Sequence, residues 1–475
     1  GNIGGAMSCE AFGEYYSHPG RATQQLIAAM LPLGAIGGSL IGGAFADIYG
    51  RNAASLIASV LFVCGSVVLG LPLGDVRSIA PLLIGRGMIG SGAGIAFMSV
   101  PAYVCELSAA AYRGAMASSI SLAIAVGFFC SYLCNWVVLT EFDDGWKWSL
   151  VFPLLPSLLF LLAATVLPES PRWAILKGNG PSVPIGILQA LRTPEDDVTA
   201  EVNEILEDIR NVSEGQGGSI FSVKYRAAVV VSIVVMMLQV LTGIDIILVY
   251  APQNFSRIIS THTTTLFWTI FIGGILVLSN LFACFIVDSV GRRPLLLVGS
   301  FGMAVSLFLC SLSYRLHFSG KNGEITPGVG YAGMACIVAS MAYVMFFSIS
   351  WGPVAFCIPS ELVPSHLRAR VVALAAVANW IADYGVVATY LTLIENLGES
   401  GAFFIYGILN VIAFVFVFWA ETKRTCNFMR SNLSIRTMLC RYPKRRTCPL
   451  KTPAKVCFRG ASRRTWTTRS KTRTQ

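Results

Sequence analysis

The sequence predicts an all-α membrane protein with twelve spans, the first partial, in two six-helix halves related by pseudo-two-fold symmetry, plus a cytoplasmic helical segment. Three observations predict it. Of the 475 residues, 55 % are hydrophobic and 13 % charged, where a soluble domain carries roughly 25 % charged. Several apolar runs exceed the ~18 residues that mark a spanning helix. The chain also repeats itself. Asp47-Ile48-Tyr49-Gly50-Arg51 recurs as Asp288-Ser289-Val290-Gly291-Arg292, each at the end of a span. Glu106-Leu107 is followed by Arg113, and Glu361-Leu362 by Arg368, with a Glu-to-Arg spacing of seven in both. The copies keep their order, which gives two halves in the same orientation. This composition excludes a soluble enzyme, a disulfide-rich secreted domain and a disordered chain.

The partial span covers about residues 1–8, and the chain reads as starting inside it. Full spans follow at about 23–45, 53–73, 79–104, 115–139, 148–167, 225–255, 264–287, 294–313, 328–359, 371–396 and 400–419. Loops 46–52, 106–114, 168–226, 288–293 and 361–370 hold 12 Lys/Arg against six in the opposite loops, so they lie in the cytoplasm. Residues 1–167 form one half and 225–420 the other.

The joining segment, 168–224, carries a helix-start signal in Thr193-Pro194-Glu195-Asp196. Val198, Val202, Ile205, Leu206 and Ile209 then recur at helical spacing. Gly215-Gln216-Gly217-Gly218-Ser219 gives a flexible exit. Residues 421–475 hold 16 Lys/Arg and one acid, whereas residues 1–420 carry a net charge of −5. The composition changes abruptly after Lys423, so 421–475 reads either as a disordered basic tail suited to anionic lipid or as sequence foreign to the membrane body. The thirteen cysteines form no CxxC pair and the four histidines are far apart, so no metal site or cofactor is expected.

Charges at a membrane edge are costly unless paired. Asp47, Arg51, Glu106 and Arg113, with Asp288, Arg292, Glu361 and Arg368, form matching sets at cytoplasmic helix ends. Such a set can hold when the halves meet and break when they part, which is a gate. Static anchoring is the plainer alternative. Parallel repeats of this kind are a transporter architecture, with the substrate at the midplane between halves.

These residues resemble the sugar porter branch of the major facilitator superfamily, over about residues 1–423. The signatures are Gly43 to Arg51, Gly85-Arg86 with Gly90, Gly92 and Gly94, and Pro101 to Glu106 with Arg113-Gly114. Pro168-Glu169-Ser170-Pro171-Arg172 follows the sixth span and is the sharpest of them. Gln239 with Thr242-Gly243-Ile244-Asp245 and Tyr250 falls in the seventh span, and Asp288 to Arg293 after the eighth. Gly352-Pro353, Glu361, Arg368, Asn379-Trp380 and Glu421-Thr422-Lys423 complete the set. The resemblance implies a twelve-helix major facilitator fold and transport of monosaccharides or related polyols, facilitated or proton-coupled. It adds Glu169 and Arg172 to the gate, and implies that the 168–224 segment braces it. No enzyme activity, nucleic-acid partner or obligate oligomer is implied. The expected setting is a multi-pass protein of the plasma membrane.

A sugar site needs amides, carboxylates and aromatic faces in a dry cleft. The resemblance puts it on spans seven, ten and eleven. Gln239 reads as a hydroxyl-binding residue, or as a hydrogen bond to a neighbouring helix. Asp245 stands where the family usually has Asn, and reads equally as a ligand or as the partner of a cation. Gly243 loosens the seventh span, and Gly352-Pro353 makes a hinge in the tenth. Phe356 matches a frequent Trp. Asn379 and Trp380 sit together, and Asp383 lies one turn on. Tyr250 completes the group.

Several family positions differ. Ser121 and Val240 stand where glutamines are usual, and Leu276 replaces an Asn, with Asn280 one turn later. These changes fit a smaller polar network, or a substrate with an acid or fewer hydroxyls. In family symporters a first-span Asp pairs with the fourth-span Arg, here Arg86. Aligning Gly1-Asn2-Ile3-Gly4-Gly5 with the family's stretch puts that Asp before residue 1; a slipped register puts Asn2 in its place. Two rivals share the fold: a non-transporting sugar sensor and a transport-inactive truncated product.

Overall fold

Backbone groups in lipid must bond within the chain, so apolar runs of this length fold as helices. The structure is a computed structural model that describes residues 2–71, 78–109, 113–178, 180, 182–193, 197–214, 222–259, 261–319, 330–363 and 365–419. Every regular element among them is helical. Chain contacts divide the protein into residues 1–442 and 443–475. The second unit, the tail at 421–475, the cap residues 194–196 and the exit at 215–219 lie outside the described residues.

The first span is α1 (Asn2–Ser8) and α2 (Glu10–Tyr15), joined through extended Cys9. The sequence predicts that this span ends near residue 8. The helix continues because Glu10 and Glu14 are exposed while Phe12 and Tyr16 bury against Trp146, with ring centroids 5.3 and 5.7 Å away. Then come α3 (Arg21–Tyr49), α4 (Arg51–Leu69), α5 (Ala80–Leu107) and α6 (Arg113–Glu141). The sixth span is α7 (Gly145–Val151) and α8 (Leu154–Val166), broken at Pro153.

After the joining segment, the seventh span is α12 (Val223–Leu241), α13 (Ile244–Leu248) and α14 (Ala251–Ser256). It is followed by α15 (His262–Val290), α16 (Arg292–Ser319), α17 (Tyr331–Ile349), α18 (Trp351–Leu362) and α19 (Ser365–Trp419). Ten helices among the described residues are long and apolar enough to cross a membrane. The last apolar stretch, Leu367–Trp419, has 53 residues, more than two spans of ~20. Gly398 breaks it with φ 71° and ψ 170°, so it supplies two spans. With α1–α2, all twelve expected spans are accounted for.

The duplication appears as repeated packing. In the first half α3 and α4 pack on α5, α4 on α8, and α1 on α6. In the second, α15 and α16 pack on α17, α16 on α19, and α12 on α19. Between halves, α3 meets α19, α6 meets α15, and α1 meets α14. The small residues of α5 serve close approach: a Cβ at Gly90 or Gly94 would collide with the backbone carbonyl of Leu31 or Ala35 on α3. Leu40, Leu159, Leu278, Phe285 and Phe301 are exposed, as expected of a surface that faces lipid rather than water.

The joining segment contains α9 (Pro171–Leu176), α10 (Ser182–Leu191) and α11 (Val198–Glu214). Leu188, Val198 and Val202 form its small core, with Ile175, Ile185, Ile205 and Leu206 around them. The cap of α11 is Asp197, not Thr193. Asp197 Oδ1 accepts from the Thr199 and Ala200 N–H groups at 3.1 and 3.0 Å. Arg192 binds Glu201 through two bonds of 3.0 and 2.8 Å and donates to the Leu107 carbonyl at 3.0 Å, which ties the segment to the end of α5.

Candidate functional site

The charged ends are built by the repeat. Gly50 (φ 115°) turns α3 into α4, and Gly291 (φ 94°) turns α15 into α16, conformations that L side chains rarely adopt. Each turn places an arginine at the first position of the next helix. Arg51 pairs with Asp47 at 3.1 Å and Glu106 at 3.2 Å, and donates to the Ala46 carbonyl at 2.9 Å. Arg292 pairs with Glu361 at 3.1 Å and donates to the Val287 carbonyl at 3.3 Å, again five residues back.

Glu169 accepts from the backbone N–H groups of Arg51, Asn52 and Ala53 at 2.8, 2.9 and 3.3 Å, so a carboxylate closes the positive end of α4. Glu106 accepts from Ser170 Oγ at 2.5 Å. These pairs join spans of one half to each other. Arg172 is half-buried, while Arg368 is exposed. The side chains of Arg113 and Asp288 lie outside the described residues.

The polar group in the middle of the molecule starts from the break in the seventh span. Gly243 is left-handed (φ 98°, ψ 24°), which ends α12 and frees the Thr242 carbonyl. Tyr343 Oη and Asn410 Nδ2 donate to that carbonyl at 3.0 and 2.8 Å. Gln239 lies one turn before the break, and its Oε1 accepts from Asn379 Nδ2 at 2.8 Å. Asn379 also donates to the Met236 carbonyl at 2.7 Å. Asp245 follows the break, and its carboxyl is within hydrogen-bonding reach of Asp383.

Arg86 donates to the Ala28 carbonyl at 2.9 Å and lies near Asp383 and Tyr250. Tyr250 is fully buried and donates to the Val387 carbonyl at 2.9 Å. Its hydroxyl therefore has a backbone partner. Asn2 does not stand in for an acid beside Arg86: it donates to the Ser149 carbonyl at 2.8 Å and accepts from Ser131.

Pro353 breaks the tenth span, as expected, but the break falls at Ser350 (φ −116°, ψ −81°), ahead of Gly352. A proline removes the bond to the residue four before it, so the chain opens upstream. Phe356 and Trp380 both stand edge-on to Phe97, with centroids 5.4 and 5.6 Å apart. Phe97 belongs to α5, so this aromatic cluster spans the two halves. Ser121 is half-buried on α6, and no hydrogen bond among the described residues joins it to the polar group. Asn280 bonds the Leu276 carbonyl of its own helix at 2.9 Å.

Sequence reasoning missed Phe97, Tyr343, Asn410 and the role of Asn254. Asn254 begins a glycosylation sequon, yet it is 5 % exposed. Its Nδ2 donates to the Ile246 carbonyl at 3.0 Å, and its Oδ1 accepts from Tyr390 at 2.8 Å. At the end opposite the charged network, Arg21 pairs with Glu395 at 3.3 Å and Gln25 donates to Thr392 at 3.0 Å. Both contacts cross between α3 and α19. A cavity of about 230 Å³ lies there, lined in part by Arg21, Gln253, Arg257 and Glu399.

The family described as "Sugar (and other) transporter" matches residues 5–425. A Bacillus subtilis (strain 168) protein named for metabolite transport, YwtG, is 32 % identical over 401 residues, covering 84 % of each chain. The galactose-proton symporter of Escherichia coli (strain K12) is 28 % identical over 404 residues, again 84 % of each. Among solved structures, a partially occluded inward-open conformation of the xylose transporter XylE from E. coli aligns with TM-score 0.72 and 26 % identity. That alignment covers 89 % of this chain and 96 % of the other.

Proposed function

From the premise that the chain belongs to the sugar transporter family of the major facilitator superfamily, we propose that it carries a monosaccharide or sugar-like polyhydroxy compound across the membrane by alternating access. One observation carries the substrate reading. Gln239 and Asn379 meet at 2.8 Å between spans seven and eleven, and two buried polar atoms of span eleven, Trp380 Nε1 and Asp383 Oδ1, have no hydrogen-bond partner among the described residues. Orphaned buried polar atoms are rare and call for an explanation. One donor and one acceptor suit a hydroxyl, which both donates and accepts. Phe356, Trp380 and Phe97 supply aromatic faces for the apolar side of a sugar ring.

The site is smaller in amides than its family resemblance leads one to expect, and it holds two acids. Substrates with fewer hydroxyls than a hexose fit that inventory. The relatives named for galactose and xylose supply the starting panel. Asp47, Arg51, Glu106, Glu169, Arg292 and Glu361 serve in this reading as braces that keep each half rigid at its cytoplasmic end.

The test is counterflow in proteoliposomes with labelled D-xylose, D-galactose, D-glucose, a linear polyol and a sugar acid. Saturable exchange of at least one compound, inhibited by its unlabelled form, is expected. A protein that folds yet exchanges none of them would overturn the reading.

A further inference from the structure

The rings of Phe97, Phe356 and Trp380 share one level of the molecule. On α5, Phe97 lies about three turns past Arg86 on the way to the charged end at Glu106. On α18, Phe356 lies between the break at Ser350 and Glu361. On α19, Trp380 directly follows Asn379 and lies nearer than Asp383 to the helix start at Ser365. The three rings therefore form a layer between the polar group and the charged ends.

Phe97 closes that layer. Its ring centroid is 5.4 Å from that of Phe356 at 64° and 5.6 Å from that of Trp380 at 69°, the edge-to-face arrangement that aromatic quadrupoles favour. Phe97 comes from the first half and the other two from the second, so Phe97 carries the layer across the cleft. All three are half-buried, so part of each ring borders open space. Their side chains offer one donor, Trp380 Nε1, which has no partner among the described residues, and no acceptor. The Ser99 hydroxyl, two residues beyond Phe97, is fully buried and already donates to the Ile95 carbonyl at 3.0 Å.

We propose that Phe97 is a specificity-determining residue, and that by closing this layer it selects pentoses over hexoses. The inference deepens the transport reading above and rests on it. A pyranose seated on Gln239, Asn379 and Asp383 turns its hydroxyls to that polar group and its least hydroxylated edge to the rings. In a pentopyranose that edge is C5, a bare CH2. In a hexopyranose C5 carries a hydroxymethyl group. This adds a carbon where the layer is closed, and a hydroxyl where no side chain of the layer accepts a hydrogen bond. D-Xylose and D-glucose differ in this group alone.

Phe97 is the member of the layer that can be trimmed without touching the polar group. Trp380 is bonded in sequence to Asn379, and Phe356 follows the break in the tenth span. A smaller side chain at 97 leaves both rings in place on their own half, keeps the Gln239–Asn379 bond, and opens room at the level of C5. A larger one narrows the same room.

The test is counterflow of D-xylose and D-glucose in proteoliposomes holding the full chain, or its F97W, F97L and F97S variants. The ratio of kcat/KM for the two sugars is read on one preparation, so it does not depend on how much of the protein folds. The wild type should favour D-xylose by roughly 10-fold or more, the discrimination that one methylene gives in an apolar pocket. F97L and F97S should shift the ratio toward D-glucose, F97S by roughly 10-fold, and F97W should shift it the other way. A variant without turnover is read by the melting-temperature shifts that the two sugars give the purified protein, which need binding but no transport. A wild type that favours D-glucose, a ratio in F97S equal to that of the wild type, or shifts of the same sign in F97W and F97S would each overturn the proposal. A wild type that exchanges other sugars but not D-xylose overturns this inference alone. One that exchanges no sugar overturns the transport reading, and this inference with it.

Discussion

Gln239 can be tested without disturbing its neighbours. Its Oε1 accepts from Asn379, while Asn379 keeps a second bond to the Met236 carbonyl at 2.7 Å. Gln239→Ala therefore removes one neutral hydrogen bond, worth about 0.5–1.5 kcal/mol to the fold. A bound hydroxyl that used the amide is left unpaired, at about 1–3 kcal/mol, or roughly 5- to 150-fold in affinity. The unliganded melting temperature should fall slightly, and the stabilisation conferred by the transported sugar should be lost. An unchanged sugar-dependent shift would remove Gln239 from the site. Gln239, Asn379 and Asp383 were legible in the sequence because a polar group inside an apolar run needs a partner. Tyr343 and Asn410 were not legible: they serve the Thr242 carbonyl, whose need arises only from the break at Gly243. Phe97 is one aromatic among many in apolar helices, and its meeting with Phe356 and Trp380 depends on how α5 lies against α18 and α19.

Whole elements were more legible than their ends. The spans followed from apolar length alone. Their breaks depend on which neighbours accept the freed backbone groups, so α2 extended past Glu10, the tenth span opened at Ser350, and α11 took Asp197 as its cap. The repeated Gly-Arg turns were legible as motifs, and their geometry gives a sharper prediction. Gly50 and Gly291 share positive φ with ψ of 161° and 157°, a region essentially reserved for glycine. Gly291→Ala should cost about 1–3 kcal/mol of strain, because a Cβ there meets nothing within 4 Å. At Gly50 a Cβ also strikes the Glu169 carboxylate, which caps α4 through three backbone N–H groups. Gly50→Ala should thus be the more damaging of the two, by about the 0.5–2 kcal/mol that a helix cap is worth. Thermal melting of the two variants in one detergent compares them. Equal losses would mean that the Glu169 cap contributes nothing.

At the scale of the molecule, alternating access requires contacts between halves that can be exchanged. The polar contacts between α3 and α19 at the end opposite the charged network include the Arg21–Glu395 pair at 3.3 Å and the Gln25–Thr392 bonds at 3.0 and 3.2 Å. The side chains of Arg21 and Glu395 are 50 % and 58 % exposed, so solvent screens the pair and its worth is at most about 1 kcal/mol. A small worth is what a gate needs, since a strong lock would hold one state. Reversing one charge replaces attraction with repulsion at the same place, while Gln25 and Thr392 stay bonded. R21E should raise hydrogen–deuterium exchange at the outer ends of α3 and α19, by up to roughly five-fold for a 1 kcal/mol shift. The swap R21E/E395R restores the opposite-charge pair and should return exchange to the wild-type level. Rescue by the swap separates a direct contact between halves from a local effect on α3, which the second change would leave in place. Exchange in R21E equal to that of the wild type would mean that packing of α3 on α19 closes this end and the ion pair contributes nothing.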